Sequence, residues 1–235
     1  MVTEYVPIPD RGRTFTLEVP VRLSDTGPDG LVRLDGIARF LQDVATDDWD
    51  DTGIVSDDTW VVRRTALRGV AGGRWPVLKD KIALTTWCGG VGAAWAERRT
   101  DLYVNNELLV QSVALWVPID PMGHPVRVRS SFFDVYGEAT QGRKVSGRVS
   151  LTSPPPDAQW TPWPLRRSDL DVVGHVNNAA VWQAVSEVVS GRVHEVEVIH
   201  HGPIEGGNDV RVASAPGALW LVVGDDVRVA AHYSL

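Results

Sequence analysis

The tightest constraint on this chain is that it runs through one plan twice. Laid over itself at an offset of 144 residues it matches without a gap: Ser24-Asp25 falls on Ser168-Asp169, Gly30 on Gly174, Ile37 on Val181 and Leu41 on Val185. Identity is low, but the order of elements repeats. In the first copy, RTFTLEVPVRL (13–23) alternates with β-branched and aromatic residues, the pattern of a strand, and stops at the turn-rich SDTGPDG. LDGIARFLQDVATDDW then carries Leu34, Ile37, Leu41, Val44, Ala45 and Trp49 at helical spacing, with Asp35 as its N-cap. Strand patterns follow at 59–70, 79–88, 92–104 and 107–118, the last two joined by a hairpin turn at Asn105-Asn106.

The second copy begins with a strand pattern at 161–171. The helical period returns at Val181, Val185 and Val188, with Trp182 and Val189 beside them, and stops at Ser190-Gly191. Strands are expected at 193–201, 209–215, 218–224 and 226–233. Residues 131–158, rich in Gly, Ser and Pro and ending near Ser153-Pro154-Pro155-Pro156, read as a linker between units at 1–130 and 159–235. One copy of a strand, a long helix and an antiparallel sheet leaves an open apolar face, which two copies bury together. The expected class is therefore a tandem α+β protein.

Composition narrows the function. A net charge of -7 repels phosphate backbones and argues against broad nucleic-acid binding. Cys88 is the single cysteine, so no internal disulfide or Cys-rich metal site can form. As a nucleophile it is disfavoured, since it sits in a strand pattern of the first copy; a small buried apolar residue is the commoner fate of a lone cysteine. His200-His201 is an adjacent pair whose side chains diverge in a strand, so no metal site and no cofactor is expected. No apolar run reaches the roughly 20 residues of a membrane helix, and the start MVTEYVPIPDRGRTF lacks the layout of a secretory signal, so a cytoplasmic protein without a membrane partner is expected. Asp47, Asp48, Asp50 and Asp51 have the wrong sign for a helix C-terminus and read as solvated surface.

Chemistry should lie where the copies differ. The second carries Ser168-Asp169-Leu170-Asp171-Val172-Val173-Gly174-His175-Val176-Asn177-Asn178; the first has Leu31 where His175 stands and Arg33 where Asn177 stands. The polar set lies just before a helix, whose N-terminal amides can hold a developing oxyanion. The plain structural reading makes Asn177 or Asn178 an N-cap, Gly174 a turn residue and His175 a packing residue.

This SDLD-x-x-GHVNN run resembles the motif of the hotdog-fold thioesterases, and the tandem plan resembles the plant and bacterial acyl-ACP thioesterases over nearly the whole chain. GLVRLDGIARFLQDVATDDW, TWVVRRTALR and LLVQSVALWVPID resemble that family's helix segment, following strand and closing strand. The resemblance implies a double hotdog, each unit an antiparallel sheet wrapped around a long helix, with the catalytic groups in the C-terminal unit. It implies hydrolysis of acyl thioesters on acyl carrier protein or coenzyme A, in fatty acid biosynthesis. Asp171 and His175 match the motif aspartate and histidine, and Glu205 is offered for a later acidic residue, with Ile204 as the alternative alignment. Where the family usually has an asparagine, this chain has Val173.

On this reading the amides around Gly174, Val176, Asn177 and Asn178 bind the thioester. Trp49, Trp87 and Trp95 are candidates for an acyl-chain wall in the N-terminal unit, though ordinary core is the commoner role of such residues. A dock for an acidic carrier is offered by Arg63, Arg64 and Arg68, by Arg143 with Lys144, or by Arg166 with Arg167. Two rivals stand beside hydrolysis: a non-catalytic acyl-thioester binder, favoured by Val173, and a hotdog hydratase, disfavoured by the Val-Val-Gly between Asp171 and His175. Two fused units already make a dimer-like body, so monomer is the default and homodimer the alternative.

Overall fold

The computed structural model describes residues 3–70, 72–189 and 193–235. The first copy forms β1 (Thr14–Pro20), α1 (Leu34–Asp51), β2 (Thr59–Gly69), β3 (Lys81–Val91), β4 (Ala96–Val104) and β5 (Glu107–Ile119). A short helix α2 (Ser130–Tyr136) follows. The second copy forms β6 (Gln159–Pro162), α3 (Asn178–Val188), β7 (Glu195–His200), β8 (Val210–Ala215), β9 (Ala218–Val223) and β10 (Asp226–Ser234).

All strands join one antiparallel sheet in the order β1-β3-β4-β5-β2-β7-β10-β9-β8-β6. The order is a palindrome of the repeat, since β2 and β7, the strands after each long helix, meet at the centre. There Arg64 pairs with Ile199 and Arg68 with Glu195. Each copy thus covers the other's open sheet edge, which disposes of an edge that would otherwise template aggregation. α1 and α3 pack on one face of this sheet. Ile37, Phe40 and Val44 of α1 share a core with Val181, Trp182 and Val185 of α3, above Leu67, Leu84, Leu102, Val196 and Leu219 of the strands. This is the double hotdog, class α+β.

Local chemistry explains several boundaries. Asn105 and Asn106 take φ of 52° and 65° in the hairpin between β4 and β5, a pair of left-handed residues that matches the twist of the flanking strands. Asp35 is not the cap of α1: Arg33 holds that position without a side-chain cap bond, and Asp35 sits in the first turn, bound by the Arg33 guanidinium at 2.9 Å. The segment 131–158 is not all extended. Phe132 and Tyr136, one helical turn apart in α2, bury with Cys88, Val91 and Ala96 in a second core. The helix stop expected at Ser190-Gly191 lies outside the described residues. Among the described residues no helix is long and apolar enough to cross a membrane.

Candidate functional site

The loops entering α1 and α3 are one backbone built twice. Arg22 N–H donates to the buried Asp25 carboxylate at 2.7 Å, and Arg166 N–H to the equally buried Asp169 at 2.8 Å. Gly27 N–H reaches Leu31 O at 2.9 Å, and Asp171 N–H reaches His175 O at 2.8 Å. Arg33 N–H reaches Asp25 O at 2.9 Å, and Asn177 N–H reaches Asp169 O at 2.8 Å. Gly30 and Gly174 close the two turns at φ of 78° and 84°, which side chains rarely adopt.

Side chains make the copies differ. In the second loop Asp171 Oδ1 accepts from Val173 N–H at 3.0 Å and His175 N–H at 3.1 Å, so the carboxylate ties the turn that presents His175. Gly27 stands in its place in the first loop and can do neither. His175 forms an antiparallel bridge with Glu205, next to the Val176 N–H to Ile204 O bond of 2.8 Å. Directly opposed residues in such a bridge project to the same side with Cβ atoms roughly 5 Å apart. In the first copy the equivalent bridge joins Leu31 to Val77. Asp171, His175 and Glu205 are thereby neighbours along the loop mouth. Ile204, the alternative position, is buried in the core.

The structure corrects the expected oxyanion donors. Each amide from Gly174 to Asn177 is already engaged: Gly174 by Asp171 O at 3.1 Å, His175 by Asp171 Oδ1, Val176 by Ile204 O and Asn177 by Asp169 O. They hold the loop and cannot also polarise a substrate carbonyl. The Asn177 side chain caps α3 by accepting from Ala179 N–H at 2.8 Å. The amides of Asn178 and Ala180, also in the first turn, have no intrahelical acceptor and no other acceptor among the described residues. Val173, in place of the family asparagine, points out to solvent with 68% of its surface exposed.

Of three cavities, two reach this region, and none of the three is lined by Asp171, His175 or Glu205. A cavity of about 340 Å³ in the first copy is walled by Trp49, Trp60, Trp116, Phe132 and Tyr136, with Cys88 and Arg98. One of about 40 Å³ lies between α1, α3 and the sheet, and reaches Asn178 and Ala179 as well as His200. It shares Arg98 and Trp116 with the first. The third, about 360 Å³, is a polar cleft between the two loops that touches Asn177. Of the expected wall residues, Trp49 lines the large cavity. Trp87 is buried one position out of step with the inward Thr86 and Cys88, and Trp95 donates its indole N–H to Val145 O at 2.9 Å.

Burial sets the titration of this interior. His200 is pushed down to about 4, by loss of hydration and then by the positive charge of Arg63, so it is neutral near pH 7. Burial pushes the Cys88 thiol up to about 11, which fits a packing residue rather than a nucleophile. The acidic end of α1 is not simply solvated. Asp48 is buried and accepts from Arg98 Nη1 at 2.6 Å, Arg13 Nε at 2.7 Å and Tyr136 Oη at 2.9 Å. Sequence reasoning missed this cluster, although the alternation Ala96, Arg98, Thr100, Leu102 places one arginine on the inward side of β4. Among the dock candidates, Arg64 is buried between Glu97 and Glu197, at 3.8 and 3.7 Å. Arg143 is paired to Glu4 and Arg166 to Asp169.

Residues 12–136 match the model of the acyl-ACP thioesterase N-terminal domain, and residues 153–217 that of its C-terminal domain. The chain is 26% identical over 235 residues to an uncharacterised protein of Mycobacterium tuberculosis, an alignment covering 95% of this chain and 92% of the relative. Among solved structures it is similar to the 12:0-ACP thioesterase of Umbellularia californica, with a TM-score of 0.77, 19% identity and coverage of 95% and 97% of the two chains. It is equally similar to an acyl-ACP thioesterase of Bacteroides thetaiotaomicron, with a TM-score of 0.77, 14% identity and coverage of 94% and 97%.

Proposed function

Because the chain belongs to the acyl-ACP thioesterase family, and is thereby a thioester hydrolase, we propose that it releases fatty acid from acyl carrier protein by activating water at Asp171, His175 and Glu205. The observation that carries this reading is the His175–Glu205 bridge ahead of α3, which the first copy replaces by Leu31 and Val77. The role of each group follows from what it already holds. Asp171 spends Oδ1 on the Val173 and His175 amides, leaving its second oxygen to orient a water. The His175 ring makes no hydrogen bond among the described residues, so it is free to take the proton of that water, and Glu205 opposite stabilises the imidazolium that forms.

The hydroxide adds to the thioester carbon, and the negative charge on oxygen falls to the amides of Asn178 and Ala180 at the positive end of α3. Collapse of the adduct breaks the C–S bond, and His175 returns the proton to the leaving thiolate. The acyl chain extends toward the cavity of the first copy. Arg167, beside the loop, and Lys144 are both exposed and are offered for contact with an acidic carrier; a coenzyme A thioester would bring its own charge.

The test is release of free thiol from acyl carrier protein and coenzyme A thioesters of graded length, by wild type, Asp171→Asn and His175→Ala. Release lost in both variants, with a preference for carrier-protein thioesters, is the expected result. Wild-type release that persists in both variants removes this site. Binding without release by wild type makes the chain an acyl-thioester binder whose loop has lost its chemistry at Val173.

A further inference from the structure

Inside the first copy the walls of the acyl cavity are not what a saturated chain requires. On the helix side of the sheet Arg98 lies opposite Ala114, with Trp116 two residues along the same strand. Both side chains line the junction between the large cavity and the small one that reaches the first turn of α3. Arg98 Nη1 donates to Asp48 Oδ2 and, at 3.2 Å, to Thr86 Oγ1, and the Tyr136 hydroxyl also interacts with the guanidinium; these partners leave part of its donor capacity facing the cavity. The Trp116 indole N–H is buried and without a partner. Both groups can only donate.

Charge points the same way. The Asp48 carboxylate is divided between Arg98 and Arg13, and the acid that helps Arg13, Asp51, is mostly in solvent. One fully buried carboxylate therefore serves two guanidinium groups. A run of methylenes against these donors would strip their water and return no hydrogen bond, which is unfavourable.

We propose that this chain selects acyl groups bearing an oxygen function away from the thioester, a hydroxyl, carbonyl or carboxylate, which accepts from Arg98 and Trp116 at the junction of the two cavities. The proposal rests on the reading of the chain as an acyl-thioester hydrolase and names its substrate class. The small cavity, at about 40 Å³, holds little more than a water in the empty protein, so the chain threads it by displacing water and meets the donors beyond. A site built to hydrogen-bond an oxygen discriminates strongly against the analogue that lacks it, because its own donors are then left unpaired.

The experiment compares ten-carbon thioesters: decanoyl, 3-hydroxydecanoyl, 10-hydroxydecanoyl and 9-carboxynonanoyl. It measures kcat/KM by thiol release, and Kd for the non-hydrolysable thioether analogues by tryptophan fluorescence. Expected is a preference of about 10-fold or more for at least one oxygenated chain over decanoyl, the favoured member locating the acceptor. Trp116→Phe, which keeps the ring and removes the N–H, and Arg98→Met should each shrink that preference; Trp116→Phe serves if Arg98→Met does not fold. Equal or better use of decanoyl by wild type, with thiol release observed, overturns the proposal and leaves hydrolysis standing. If no thioester is cleaved, hydrolysis fails, and the thioether affinities still decide: a flat ranking, or no binding, overturns the proposal.

Discussion

The loop before α1 and the loop before α3 share most of their backbone hydrogen bonds, yet Leu31 faces Val77 in one and His175 faces Glu205 in the other. The backbone is set by features both copies share: a buried aspartate that takes the amide three residues before it, a glycine at positive φ, and a bridge across the loop mouth. Those features position a side chain without specifying it. The first copy uses the position to pack and the second to present polar groups. The division extends to the interior, because the first copy holds the aromatic-walled cavity while the second holds the polar loop and capped helix. On the proposed reading, neither copy alone would have both a wall for an acyl chain and a place to cleave it.

The sharpest way to break this comparison is to exchange its terms. Asp171→Asn and His175→Ala should each lower turnover by about 10²–10⁴-fold, the range for removing a general acid or base. Leu31→His should leave turnover unchanged, because no carboxylate faces it. Circular dichroism would confirm folding in all three, and a loss on Leu31→His equal to that on His175→Ala would show that the copies are not chemically distinct. On stability the first copy should be the more sensitive. Asp48→Ala strands the Arg98 and Arg13 guanidinium groups in the interior and should cost about 3–5 kcal/mol in denaturant unfolding. The neighbouring exposed Asp47→Ala should stay within about 0.5 kcal/mol of wild type.

Asp47 and Asp48 also show how far the sequence could be read. Both long helices and most strands were legible because periods of two and 3.6 persist over many residues, and the 144-residue offset aligned one copy with the other; the strand expected at 161–171 is instead the short β6, with a tight turn at Arg167–Asp169 after it. The capping asparagine Asn177 and the hairpin at Asn105-Asn106 were legible because local turn chemistry fixes them. The buried ion cluster was not, since an acidic run after an amphipathic helix looks the same whether it faces water or arginine. The partners of Asp48 lie 35, 50 and 88 residues away, just ahead of β1, in β4 and in α2. That the amides from Gly174 to Asn177 are already engaged was not legible either. Proximity to a helix N-terminus is visible in sequence, but whether an amide is already engaged depends on how the loop folds back on Asp169 and Asp171 and meets the Ile204 carbonyl.

Acid should separate the two copies as well. His200 sits at the end of β7, buried and neutral, its pKa lowered from 6.5 to about 4. The unfolded chain takes up this proton first as pH falls. The stabilisation is therefore fully present above about pH 6.5 and is lost progressively toward about pH 4, by about 3 kcal/mol in all. His200→Gln should flatten that part of the stability curve, and an unchanged slope would mean that His200 is hydrated. Smaller again are the turn glycines. Gly30→Ala and Gly174→Ala each force a Cβ into the left-handed region with open space around it, at about 1–2 kcal/mol. The two losses should be alike, while turnover falls only for Gly174→Ala.

The smallest effect divides capping from catalysis within one residue. Asn177→Ala removes the acceptor for Ala179 N–H and should cost about 1 kcal/mol. Arg33→Ala, at the equivalent place, removes no cap but should cost at least as much, because its guanidinium donates to both Asp35 oxygens and to the Thr26 and Ser24 carbonyls. Asn177→Asp sharpens the point. A carboxylate caps at least as well as a carboxamide and suits the positive end of a helix, so the melting temperature should return to that of wild type or above. The same charge would stand beside the Asn178 and Ala180 amides, where the oxyanion is to form, and like charges there repel. Stability recovered together with a fall in kcat would place the developing charge at the first turn of α3. Stability and kcat recovered together would move it elsewhere and leave Asn177 a cap and nothing more.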